Sequence, residues 1–134
     1  MNNKRQGTAF EKEFASLLSE HGFWVHRLKD NENGQPFDLI AARDGKTYAI
    51  DCKDCDGERF RLSRVEENQS SAMSLWEGTG NKPGLFAIRN RKNGIICMVT
   101  RKYLEDKKNS GRSYVAITPD TFPALAFGRW VRWA

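Results

Sequence analysis

The sequence predicts an α+β domain, a central mixed sheet flanked by helices in the order αβββαββ. Three observations predict it. An apolar stripe of helical period, Phe10, Phe14, Leu17 and Leu18, opens the chain. Three consecutive strand-like runs follow, the last two joined by the hairpin dipeptide Asp44-Gly45. A second helical segment then precedes two more apolar runs.

The stripe predicts a helix over residues 9–21, closed by Gly22 as a C-cap. Residues 23–28 read as a first strand with Phe23, Val25 and Arg27 on one face, and polar residues 29–35, with Asn33-Gly34, as a loop. Residues 37–42 and 47–53 are the antiparallel hairpin strands. On the second, Tyr48, Ile50 and Cys52 share one face, and Thr47, Ala49, Asp51 and Lys53 the other. Residues 54–62 are charged and read as a mobile connection. Ser63 to Trp76 reads as a helix with Ser63 as N-cap and Glu66 completing a capping box. A glycine-rich loop, 78–84, leads to strands at 84–89 and 94–100, joined through Asn93-Gly94. Residues 101–108 read as a short helix and 114–118 as an edge strand. The expected organisation is one domain over 1–134, with a core at about 4–100 and an extension, 101–134, of unassigned role.

The 22 Lys and Arg against 17 Asp and Glu give +5 and a pI near 9.3. That balance favours a polyanionic partner, and equally suits a soluble basic surface. No apolar run approaches the ~20 residues of a membrane span, and the polar N-terminus leads into no signal-peptide core. Three cysteines make a complete disulfide framework unexpected and point to a reducing, cytosolic location.

The chemistry concentrates at Asp38, at the start of an apolar run, and at Asp51-Cys52-Lys53, thirteen residues on, at the end of the next. Two carboxylates on neighbouring strands can hold a divalent cation, and a lysine beside them can serve an attacking water. Asp38 in an apolar strand needs a partner, either a cation or a salt bridge to Lys53. Asp51 and Lys53 read equally as paired charges on an exposed edge face. Cys52 and Cys55 form C-x-x-C, but Cys52 falls on the apolar face, where a packed thiol fits better than a redox pair. Glu11 lies three residues after Thr8 and also fits a capping box; Glu13, off the stripe's phase, reads as a solvated helix residue.

Gly7-Thr8-Ala9-Phe10-Glu11 opening a helix, Gly22-Phe23, Phe37-Asp38-Leu39-Ile40, Ile50-Asp51-Cys52-Lys53 and Lys82-Pro83-Gly84-Leu85-Phe86-Ala87-Ile88 together resemble the PD-(D/E)XK nuclease superfamily. Within it the order is most similar to Holliday junction resolvases, both the archaeal type and the bacterial and phage RecU type. The resemblance covers about residues 4–100. It implies a restriction-endonuclease-like core and a Mg²⁺-dependent, structure-specific DNA endonuclease, with Mn²⁺ substituting. Asp38, Asp51, the Cys52 carbonyl and Glu11 would hold the metal. Lys53 would orient the attacking water and stabilise charge, and Gln69, matching a glutamine of RecU-like members, would hold that water or a phosphate oxygen. Products would carry 5′-phosphate and 3′-hydroxyl ends. Lys4, Arg5, Arg59, Arg61 and Arg64 are the expected DNA contacts, branched or four-way DNA the partner, and a twofold homodimer the assembly. The expected setting is the nucleoid-associated cytoplasm of a bacterial or phage-infected cell. The chain departs from resolvases in having Asp51 where glutamate is commoner, and in a short segment after Lys53. A repair or restriction-type endonuclease, or an inactive DNA-binding module of the same fold, would share these features. The ending Arg129-Trp130-Val131-Arg132-Trp133 suits either base stacking or docking on the core.

Overall fold

A computed structural model describes residues 3–29 and 35–134, with side chains from residue 7 onward. The Asn33-Gly34 turn and the side chains of Lys4 and Arg5 therefore lie outside the described residues. Among those described, no helix is long and apolar enough to cross a membrane.

Helix α1 (Asn3–Glu20) buries Phe10, Phe14 and Leu18. It starts well before Thr8, so Thr8 is an exposed mid-helix residue and the Thr8–Glu11 capping box does not form. Its C-terminus closes as expected. Gly22 sits at φ 85°, its N–H donates to Ser19 O (3.1 Å), and Phe23 N donates to Leu18 O (3.2 Å). That is a Schellman cap, with Phe23 and Leu18 sharing one core.

Strands β1 (Trp24–Arg27), β2 (Leu39–Arg43) and β3 (Lys46–Cys55) form an antiparallel meander. Asp44 and Gly45 both take positive φ, 52° and 78°, as a two-residue turn of matching twist requires. Strand β4 (Arg59–Arg61) follows at once. The expected mobile connection is thus an ordered ribbon, because Phe60 is buried and β4 pairs with β7 (Tyr114–Ala116). That pairing makes residues 114–116 part of a separate two-stranded sheet.

The second helix begins later than expected. Leu62 and Val65 are buried, so residues 62–64 form a 3-10 turn and α2 runs Glu67–Gly78. Its N-cap is Glu66, not Ser63, in a reciprocal capping box with Gln69. Strands β5 (Leu85–Asn90) and β6 (Ile96–Thr100) complete the expected set, followed by α3 (Arg101–Asn109). Gly84, just before β5, is pressed on α2: an added Cβ would lie 2.6 Å from Met73 Cβ. Its N–H donates to Glu77 Oε1 (2.8 Å), and Glu77 in turn holds the buried Arg101 through two bonds of 3.2 and 3.0 Å. Helices α2 and α3 are tied there.

The extension supplies two unexpected elements, β8 (Leu125–Ala126) and α4 (Phe127–Trp130). The main sheet has the order β1-β2-β3-β5-β6-β8, antiparallel throughout except for the parallel β3–β5 pair. One face packs on α1 and α4 through Phe14, Ile50, Cys52 and Trp130; the other packs on α2 and α3 through Met73, Phe86 and Leu104. Of the tryptophans considered for stacking on bases, Trp130 docks instead on the core, its ring parallel to Phe23 (5.8 Å, 7°) and edge-on to Tyr48 (5.4 Å), whereas Trp133 is 77% exposed. Arg43 fixes the same segment, with Nε donating to Ala134 O (3.0 Å), Nη1 to His21 O (2.9 Å), and its guanidinium 4.4 Å from the Phe23 centroid. Trp130→Ala is expected to cost about 3–5 kcal/mol, read as a lowered midpoint in urea denaturation; a shift below a third of that would mean α4 is a dispensable cover.

Candidate active site

Asp38 stands one residue before β2, where the ladder to β3 ends. Its backbone is still held, N–H donating to Ile50 O (3.1 Å) and C=O accepting from Leu28 N (2.9 Å). Its carboxylate Oδ2 then takes the next β3 donor, Cys52 N–H, at 2.7 Å. The side chain thus continues the ladder and stands beside the Asp51 position. Lys53 is not its partner.

Asp51 lies in the middle of β3 and points to the α2 face, 1% exposed. Oδ1 accepts from Gln69 Nε2 (3.2 Å), and Oδ2 lies 3.1 Å from Lys53 Nζ in an orientation that makes no hydrogen bond. Oδ2 is therefore a buried oxygen whose cationic neighbour is the Lys53 ammonium. Burial pushes the Asp51 carboxyl up to about 8; Lys53 opposes that rise and Asp38 adds to it. The Asp38 and Asp51 carboxylates stand together, with Lys53 paired to Asp51, and a divalent cation fits that donor set.

Gln69 joins the site by virtue of being in the capping box. Its Oε1 accepts from Glu66 N–H at 3.4 Å, and its Nε2 is thereby turned to Asp51. There it holds the Asp51 carboxylate. Lys53 is half-buried, its ammonium 6.0 Å from the Phe86 ring.

Glu11 is placed differently. Its Oε1 is bonded by Arg27 Nε at 3.2 Å, and among the described residues no three His, Cys, Asp or Glu side chains cluster as metal ligands. Glu11 nevertheless belongs to the same neighbourhood. Burial, then the charges of Asp38, Asp51 and Glu11, hold the Cys52 thiol well above its ordinary range. Cys52, Cys55 and Cys97 are free and buried, so the C-x-x-C is a pair of packed thiols. Glu13 is exposed, as expected of a solvated helix residue, and pairs at the surface with Arg89 Nη1 at 2.6 Å.

Beyond Lys53 an open cleft of about 750 Å³ is bordered by Asp54, Arg59, Arg61, Arg64 and Tyr114. Sequence reasoning passed over Arg27, Asp54 and Tyr114. Arg27 carried a signal, being a cation on the inward face of a strand. Asp54 and Tyr114 carried none, because what they hold is remote in sequence.

A family model described as archaeal Holliday junction resolvase (hjc) matches residues 2–119. The crossover junction endodeoxyribonuclease Hjc of Methanocaldococcus jannaschii is 29% identical over 134 residues, 96% of this chain and 92% of the relative. The solved structure of Archaeoglobus fulgidus Hjc, described as a Holliday junction resolvase from an archaeal hyperthermophile, has the same fold. It superposes with a TM-score of 0.68 at 19% identity, covering 95% of this chain and 96% of that one.

Proposed function

We propose, from the premise that this chain belongs to the archaeal Holliday junction resolvase family, that Asp38, Asp51, Lys53 and Gln69 form the site with which it cuts four-way DNA junctions. The chain is a structure-specific endodeoxyribonuclease of that family. The observation that carries the site is the Asp51 carboxylate, buried between a lysine and a second carboxylate.

Asp38, Asp51 and the carbonyl of Cys52 would hold the cation, Mg²⁺ by preference with Mn²⁺ as substitute. When bound, the cation supplies Lewis-acid polarisation of the phosphoryl group and hydroxide at neutral pH. Gln69 keeps the Asp51 carboxylate from turning. Lys53 orients the attacking water and meets the charge that develops on the phosphoryl oxygens. Glu11, tethered by Arg27, adds negative field at the edge of the site. Resolution requires two symmetric cuts, so two copies related by a twofold axis would act together.

A cleavage panel tests this. Labelled four-way junctions, flaps and linear duplexes are incubated with Mg²⁺, Mn²⁺ or chelator. Paired nicks in the junction alone, dependent on the cation, are the expected result; equal cutting of linear duplex would remove the junction preference, and cutting in chelator would remove the metal. Junction binding should weaken with salt at a log–log slope of about −2.7 or steeper, given about −0.9 for each of Arg59, Arg61 and Arg64. An affinity flat across salt would contradict phosphate contacts at these residues.

A further inference from the structure

The β4–β7 ribbon has two unlike faces. Phe60 and Val115 pair across it and are buried. Arg61 stands opposite Tyr114 and Arg59 opposite Ala116, so the two arginines and the tyrosine share the outer face, which borders the cleft beyond Lys53. The Tyr114 ring holds both cations, with the Arg59 guanidinium 4.1 Å and that of Arg61 5.5 Å from its centroid. On the floor, Arg64 Nη1 donates to Asp54 O (3.0 Å) and Cys55 Sγ (3.3 Å), which fixes a third cation.

The acidic residues of the lining are largely committed. The Asp54 carboxylate takes Arg89 through two bonds, 3.0 and 3.1 Å, and Arg91 at 3.3 Å; Asp56 also takes Arg91. Among the described residues Arg59, Arg61, Arg64 and Lys92 have no carboxylate partner. Only Glu58 of the lining stands against these four with no cation paired to it among the described residues. The cleft is therefore positive, and it opens from the end of the strand that carries Asp51 and Lys53. Long arginine side chains lose rotamer freedom when they grip a ligand, and a ring that holds them beforehand reduces that loss.

We propose that this cleft seats phosphates of the DNA strand flanking the scissile bond, and that Tyr114 is the positioning residue that aims Arg59 and Arg61 into it. This rests on the resolvase reading of the adjacent site. Phosphate contacts carry no base information, so the seat acts alike on junctions of any sequence. It separates binding from chemistry: the seat holds the strand, and Asp38, Asp51 and Lys53 cut it.

The test compares Tyr114→Leu, which removes the ring, with Tyr114→Phe, which keeps it. Junction Kd is measured in chelator across a salt series, and the single-turnover cleavage rate at saturating protein with Mg²⁺. Tyr114→Leu is expected to raise Kd about tenfold, flatten the salt slope by about one to two, and leave the saturated rate within about twofold of wild type. Tyr114→Phe is expected to match wild type in all three. Unchanged Kd and slope in Tyr114→Leu overturn the seat. Equal losses in both variants overturn the role of the ring. Should Tyr114→Leu fail to fold, the exposed double variant R59Q/R61Q carries the test, and a wild-type slope there overturns the proposal. Failure of the resolvase reading would show instead as wild-type protein that leaves junctions uncut, whereas Kd and slope are read without metal.

Discussion

Asp51→Asn is expected to lower junction cleavage by at least about three orders of magnitude, the scale of losing several kcal/mol of transition-state stabilisation. Asparagine keeps the shape of the side chain, and Gln69 can still meet its oxygen. What disappears is the charge that a bound cation would meet at Oδ2, the buried oxygen beside Lys53. Junction affinity in chelator is expected to stay within a few-fold of wild type, because Asp51 lies in the sheet and not among the cations of the cleft. Band-shift titration and cleavage of the same labelled junction separate the two. A variant that cuts within tenfold of wild type would remove Asp51 from the reaction.

Without metal, stability should fall with rising pH on account of Asp51. Its carboxyl titrates near 8 in the fold and near 3.9 in an unfolded chain. Between those values the folded protein holds a proton that the unfolded chain has released. The contribution is therefore fully present below about pH 4, declines as pH climbs, and is gone above about pH 8. The steepest slope is about 1.4 kcal/mol per pH unit, and the whole change amounts to a few kcal/mol. Asp51→Asn should flatten that slope, so the variant gains on wild type steadily from pH 5 to 8 in urea denaturation with chelator. Parallel curves for the two proteins would contradict it. Lys53→Met should act in the opposite direction, since it removes the charge that opposes the rise, and should lower cleavage by about 10²–10³. Cation binding has to displace the Asp51 proton, so affinity for Mn²⁺ should increase with pH up to about 8, and calorimetry in buffers of different ionisation enthalpy should register the released proton.

Much of the site was legible because one turn fixes it. Strand alternation puts Asp51 and Lys53 on one face, and the β2–β3 register set by Asp44-Gly45 brings Asp38 beside them. Gln69 was legible only through family resemblance, since nothing local says that α2 lies over β3. The start of α1 was misread because Gly7 and Thr8 look like punctuation. A packed apolar face outweighs one glycine, and the helix continues through both. The α2 boundary shifted for the same kind of reason, the burial of Leu62 and Val65. The extension was illegible because its partners are remote: Arg43 bonds Ala134 across 91 positions, and Phe60 pairs with Val115 across α2, β5, β6 and α3. Sequence likewise left open the archaeal and RecU types, and the family match falls on the archaeal one.

The lone parallel pair, β3 with β5, has a consequence for how the molecule assembles. The β1–β2–β3 meander closes through neighbours, but β5 reaches β3 only after the chain has travelled out through β4 and α2 and returned. Closing so long an excursion is slow compared with making a hairpin. The β1–β2–β3 meander by itself would leave Asp51 facing water; β5 beside it and α2 over it are what remove its hydration. Burial of that carboxylate therefore depends on the long-range β3–β5 pair and not on the hairpin alone.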